Sequence, residues 1–233
     1  MRIVAVADTH GFEANLSPVP DGDLFIHAGD LLRMGRLSEL EPVAAWIRAL
    51  PHRHKVVVAG NHDWCFIDDP RSARALLGPT VIYLEDSAAE IAGLRLWGSP
   101  WQPEYHSWAF NLPRGTALAE KWAMIPADTD VLITHGPARG LGDRVYLDQH
   151  EGCGDLRAAL ERVQPMLHLC GHIHEDGGLW QLGPSCVVNC TTAQGMRAAT
   201  VVDVLAGAIT PVQIPDGGPP SHPWANGVPR AVR

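Results

Sequence analysis

The chain has 233 residues, 46% hydrophobic and 19% charged, with 18 lysines and arginines against 26 aspartates and glutamates for a net charge of −8. That mixture excludes an intrinsically disordered chain. The absence of any lysine/arginine run argues against a nucleic-acid coat protein or a basic membrane binder, both of which need clustered positive charge.

The run at 3–7 is short and apolar throughout, which predicts a strand buried on both faces. A second such run covers 24–28 and ends in Gly29-Asp30. Leu37, Leu40, Val43, Ala44, Ile47 and Leu50 recur at helical spacing, and Pro51 stops that helix. A third strand at 56–59 runs into Gly60-Asn61-His62-Asp63, and a helix over 71–77 leads to a strand at 81–84. This alternation predicts a parallel sheet with right-handed crossovers. The rhythm then changes. Gly93 within 89–96 predicts an antiparallel hairpin, and 98–114, rich in Trp, Pro and Gly, predicts an ordered loop over one face. A helix follows over 118–124, then a strand at 131–134 ending in His135-Gly136. Leu156, Ala159, Leu160 and Val163 mark another helix with Asp155 as its N-cap. The strand at 167–170 ends in Gly171-His172-Ile173-His174, and late strands are expected at 187–190, 200–205 and 209–214. From 215 onward, five prolines and three glycines in nineteen residues predict a tail without a core of its own, so 1–214 reads as one domain and 215–233 as its C-terminal tail. The five dispersed cysteines, with no CxxC pair, fit reduced thiols, and no apolar run is long enough for a signal peptide or membrane span; the expected location is the cytoplasm.

Five strand ends carry the unusual residues: Asp8-Thr9-His10, Gly29-Asp30, Gly60-Asn61-His62-Asp63, His135, and His172 with His174. Ligand sites in open α/β sheets lie outside the carboxyl ends of the strands, so these fragments are expected to converge on one crevice. An i, i+2 pair in extended chain presents both side chains on the same side. Asp8/His10 and His172/His174 are such pairs. The donors comprise the oxygens of Asp8, Asp30 and Asn61 and the imidazoles of His10, His135, His172 and His174. This mixed N/O set without thiolates suits Mn, Fe, Zn, Co or Ni rather than structural zinc. Seven donors exceed what one metal with an open position needs; two metals sharing a carboxylate fit the count.

In that order, these fragments resemble the calcineurin-like metallophosphoesterase superfamily over about residues 1–205. Within it, the stretches 59–63, 110–115 (Phe-Asn-Leu-Pro-Arg-Gly), 134–137 and 171–175 are most similar to the metallophosphoesterase-domain-containing family of class III cyclic-nucleotide-type phosphodiesterases. Some of its members carry glycine where this chain keeps His172. The resemblance implies a four-layer α/β/β/α sandwich of two mixed sheets flanked by helices. It also implies two divalent transition-metal ions, with manganese foremost. Asp8, His10 and His174 would hold one; Asn61, His135 and His172 would hold the other, with Asp30 bridging. His62 would face the phosphate and protonate the leaving oxygen, and Asp63 is the candidate to orient it. The implied reaction is hydrolysis of small phosphodiesters, 2′,3′- or 3′,5′-cyclic nucleotides foremost, by in-line attack of hydroxide generated between the metals. Broad phosphomonoester or protein-phosphatase activity, and a non-catalytic scaffold, are the alternatives. A monomer or homodimer is expected, with no membrane partner and no stable nucleic-acid complex.

Other candidates stand outside these fragments. Arg33, Arg114 and Arg139 are candidates to reach substrate phosphate. Trp97, Trp101, Tyr105, Trp108 and Phe110 either pack beneath the long loop or form a stacking wall for a nucleobase. His27, His52, His54, His106, His150, His168 and His222 read as structural or solvated, and Cys65 as a buried thiol.

Overall fold

The computed structural model describes residues 1–16 and 18–215. In chain order the elements are β1 (Arg2–Val6), β2 (Leu24–Ala28), α1 (Leu37–Ala49), β3 (His54–Val58), α2 (Cys65–Asp68), α3 (Pro70–Leu77) and β4 (Ile82–Tyr83). Next come β5 (Ser87–Ile91), β6 (Leu94–Ser99), β7 (Gln102–Pro103), β8 (Asn111–Leu112), α4 (Thr116–Ala123) and β9 (Val131–Thr134). The chain continues with α5 (Gly154–Val163), β10 (Leu167–Cys170), β11 (Gly178–Leu182), β12 (Ser185–Asn189), β13 (Thr200–Leu205) and β14 (Ala208–Gln213).

Two six-stranded mixed sheets result, in the orders β14-β13-β1-β2-β3-β4 and β11-β12-β10-β9-β6-β5. Strands β1 to β4 run parallel, as do β6, β9, β10 and β12; antiparallel strands close both edges of the second sheet and one edge of the first, whose other edge is the parallel β4. Alternate residues of β1 face two different cores. Ile3 and Ala5 meet the second sheet's Val131, Ile133, Leu167 and Leu169, whereas Val4 and Val6 pack with Leu40, Ile47 and Leu77 from α1 and α3. On the far side, Leu132 and Val187 pack with Leu118 and Trp122 of α4 and Leu156 and Leu160 of α5. Covering both faces of each sheet explains why the strands read as unbroken apolar runs. The arrangement is the expected four-layer α/β/β/α sandwich. At the site end the sheets are stitched together: Ala7 pairs with Thr191, its N–H donating to the Cys190 carbonyl at 3.1 Å.

The hairpin β5–β6 turns through Ala92 and Gly93, both at positive φ, as a two-residue turn matching strand twist requires. One expectation is corrected. Helix α5 is capped by Cys153, whose sulfur accepts the Leu156 N–H; the Asp155 carboxylate instead accepts the Gly115 N–H at 3.1 Å. Strand β11 was not expected, because Gly178–Leu182 lies at a sheet edge and offers no apolar run. Pro215, assigned to the tail, is buried beside the body, while 216–233 lie outside the described residues. Among the described residues no helix is long and apolar enough to cross a membrane. All five cysteines are free and buried, and burial pushes the Cys65 thiol up to about 12.

Candidate metal centre

The fragments at the strand ends meet at one place. Just past β1 and β2, backbone bonds zip the two turns together: the N–H groups of Asp8 and His10 donate to the carbonyls of Gly29 and Asp30 at 2.9 and 3.0 Å. Past β9 and β10, the Gly171 N–H donates to the His135 carbonyl at 2.8 Å. Asp8, His10, Asp30 and His172 all hold positive φ. Non-glycine residues in that region store strain of about 1 kcal/mol or more each, which persists only where the surroundings enforce it. Gly60 is required by close approach: a Cβ there would run into Asp30 and into His135 Cε1.

The imidazoles are aimed by backbone carbonyls. His10 Nδ1 lies 3.0 Å from the Leu32 carbonyl, His135 Nδ1 3.0 Å from that of Ala28, and His62 Nδ1 2.7 Å from that of Arg33. A carbonyl can only accept, so each Nδ1 carries a proton and each Nε2 is turned inward. His135 Nε2 then faces Asn61 Oδ1 at 2.9 Å and Asp30 Oδ1 at 3.3 Å, and His10 Nε2 faces His174 Nε2 at 3.3 Å. Nitrogen and oxygen atoms converging this closely form a donor set that would fit a divalent cation.

Asp30 stands between two groups of donors. Its Oδ1 accepts the His62 N–H at 2.8 Å and lies on the His135 side, whereas Oδ2 is 3.7 Å from His10 Nε2 and 3.9 Å from His62 Nε2. Ligand atoms of Asp8, His10 and His174 lie within 4.8 Å of one another, as do those of Asp30, His135 and His172, and those of His10, Asp30 and His62. Both Asp8 oxygens accept the His172 N–H at 3.0 Å, and Oδ1 lies 3.7 Å from His174 Nε2.

The electrostatics follow from burial and these neighbours. Burial alone would push the Asp8 and Asp30 carboxyls up, but His174 beside Asp8 and His135 beside Asp30 hold both below the usual carboxylate range. Burial pulls His10 and His172 down to about 4, so both are neutral at pH 7. His135 is pushed up to about 9: burial opposes the charge, but Asp30 and Asp8 outweigh it.

A supporting layer was not legible from motifs. The Thr134 hydroxyl donates to the Gly136 carbonyl at 2.7 Å, so the buried His168 donates from Nε2 to the Thr134 oxygen at 2.8 Å. Thr9, between Asp8 and His10, bonds buried His27 at 2.9 Å. The expectation that Asp63 orients His62 is corrected. Its carboxylate turns inward and accepts the N–H groups of Gly60, Leu32 and Leu31 at 2.8, 3.0 and 3.2 Å, tying the β2 and β3 turns together. Burial, with Asp30 nearby, pushes its carboxyl up to about 7.

A cavity of about 550 Å³ opens over the centre, within the range of small-molecule sites. Asp30, Asn61, His62, His172 and His174 form its floor; Tyr105, Trp108, Tyr146 and Leu147 its apolar walls; Glu104, Glu151 and Glu175 an acidic rim. Among the described residues lining it, Arg114 is the one basic side chain apart from histidines, and it is bonded to the carbonyls of Gly152 and Glu151. Arg33 and Arg139 do not line the cavity; Arg33 lies over the Phe12 ring and bonds the His10 carbonyl, and Arg139 lies against the His150 carbonyl. The aromatic stretch divides: Trp97 and Phe110 are buried in the cores, Trp101 packs at their edge under Lys121, and Tyr105 and Trp108 face the cavity.

Residues 1–176 match the family model described as calcineurin-like phosphoesterase. The chain is 40% identical over 232 residues to metallophosphoesterase domain-containing protein 1 of Homo sapiens and of Mus musculus, covering 87% of this chain and 71% of theirs. Among solved structures, TT1561 of Thermus thermophilus aligns with a TM-score of 0.66 at 17% identity, over 91% of this chain and 97% of that one. GAP50, described as the anchor in the inner membrane complex of Plasmodium, aligns at 0.56 and 11% identity, over 91% of this chain and 83% of that one. At such identities the likeness is one of fold, so activity has to be argued from the site.

Proposed function

The chain belongs to the calcineurin-like phosphoesterase family, and from that premise we propose that it is a phosphodiesterase of small nucleotides, 2′,3′- or 3′,5′-cyclic ones foremost, working with two divalent cations. The carrying observation is Asp30, whose two oxygens face two separate sets of nitrogen and oxygen donors. Asp8, His10 and His174 would hold one ion and Asn61, His135 and His172 the other, with Asp30 shared. Manganese is the foremost candidate, and Fe, Zn, Co and Ni also suit the donors. When bound, such a pair neutralises phosphoryl oxygens and makes hydroxide accessible near neutral pH.

The protein's own groups do the rest. His62 Nδ1–H is committed to the Arg33 carbonyl, which leaves Nε2 as the ring atom that meets substrate. As a hydroxide oxygen bonds to phosphorus and the P–O bond to the leaving group breaks, a proton carried on His62 Nε2 passes to the departing oxygen, which leaves as an alcohol. Proton transfer of this kind contributes about 10²–10⁴-fold. The walls of Tyr105 and Tyr146 support a planar base, for which aromatic stacking is worth about 1–3 kcal/mol. A monoester dianion or a polynucleotide would need more cations than one arginine already paired within the fold, and the acidic rim disfavours both.

The test is a panel on protein reconstituted with each metal: bis-p-nitrophenyl phosphate, p-nitrophenyl phosphate and the two classes of cyclic nucleotide. Turnover of diesters well above the monoester is expected. A monoester preference would overturn the proposal.

A further inference from the structure

We propose that Trp108 is a positioning residue for the proton donor, holding the His62 ring so that Nε2 meets the leaving oxygen. This rests on the reading of His62 given above. The His62 side chain is 23% exposed where it lines the cavity. Among the described residues its ring makes one hydrogen bond, to the Arg33 carbonyl, with Asp30 Oδ2 3.9 Å from Nε2, so the ring can swing about that bond unless its neighbours stop it. Two rings close off that swing. His10 meets it edge-on at 4.6 Å between centroids, and the Trp108 indole covers it at 3.9 Å with the planes at 44°.

The backbone that carries the indole is held. Ala109, the next residue, is buried and donates its N–H to the Asn61 carbonyl at 3.0 Å, which ties the loop to the turn that carries His62. Gln102 Nε2 donates to the Ala109 carbonyl at 2.8 Å, and Phe110 is buried in the core. The wall against His62 is therefore built on fixed backbone. A fixed wall confines a donor that would otherwise reach solvent, and misplacing a catalytic group by about 1 Å costs about 10²-fold.

The experiment compares wild type with Trp108→Leu and Trp108→Phe on two diesters. Bis-p-nitrophenyl phosphate leaves as a stabilised phenolate and needs little protonation; a cyclic nucleotide leaves as an alkoxide and needs it. For Trp108→Leu the expected result is a kcat loss of at least about tenfold on the cyclic nucleotide and under about threefold on the phenyl diester. Trp108→Phe, keeping a flat ring, is expected to stay within about threefold on both. In metal-free protein the His62 Cε1–H resonance, assigned by its loss in His62→Ala, should lie upfield in wild type and move downfield in Trp108→Leu. Equal losses on both diesters, a rise in KM alone, or an unshifted His62 resonance in wild type would each overturn the inference. If Trp108→Leu does not fold, the Phe variant and the wild-type resonance decide it. Wild type inactive on both diesters would instead refute the proposed function.

Discussion

His168 offers a quantitative test of how the layer behind the metal centre is built. It is fully buried on β10, its Nε2 donates to Thr134, and its Nδ1 meets no hydrogen-bond partner among the described residues. Burial pulls the imidazole down to about 3. Unfolded, it returns to about 6.5. Between those values the unfolded state binds the proton and the folded state does not, so stability falls as pH falls below about 6.5 and is unaffected above it. From pH 6.5 to pH 5, at about 1.4 kcal/mol per pH unit, the loss comes to about 2 kcal/mol. Other groups titrate over the same range, and Asp63, raised to about 7, acts with the opposite sign. The informative quantity is therefore a difference. His168→Gln keeps an amide N–H near Nε2 but cannot be protonated. Urea unfolding at pH 7 and pH 5, with metal removed by chelator, should show the variant losing about 2 kcal/mol less than wild type between the two pH values. Equal losses would mean that His168 is charged or solvated in the folded protein, and that the Thr134–His168 bond does not fix the turn bearing His135 as described.

Three further outcomes follow from the same geometry. Gly60→Ala drives a methyl group into Asp30 and His135; it should cost about 1–3 kcal/mol of stability and at least about tenfold in metal affinity, read by denaturation and metal titration. Asp63→Asn leaves one oxygen for three backbone donors. It should cost about 1–3 kcal/mol of stability while leaving the relative rates on phenolate and alkoxide diesters unchanged, because Asp63 does not touch the His62 ring. Tyr146→Ala removes a cavity wall and should raise KM for cyclic nucleotides about tenfold with kcat little altered, as measured by steady-state kinetics.

What the sequence made legible was chemistry at the ends of apolar runs. Asp8, His10, Asp30, His135 and His172 follow the ends of strands buried on both faces, where a polar residue is out of place unless it serves a site. All of them, with Asn61, His62 and His174, meet in the fold. Directions around a turn were not legible. Asp63 follows His62, yet the turn sends one carboxylate into the backbone beneath and one imidazole into the cavity. Arg33 and Arg139 sit near motif residues in the chain, but their partners, the Phe12 ring and carbonyl oxygens, lie away from the cavity. The aromatic loop divided residue by residue because its path, set by Gln102 and Asn111 hydrogen bonds, decides which rings turn inward.

The central claim, two cations sharing Asp30, is tested most directly by anomalous diffraction from manganese-soaked crystals of wild type and Asp30→Asn. Wild type should give two peaks about 3.5–4 Å apart, both within bonding distance of Asp30, and the variant should lose at least one of them. A single wild-type peak, or two that leave the Asp30 carboxylate untouched, would contradict it.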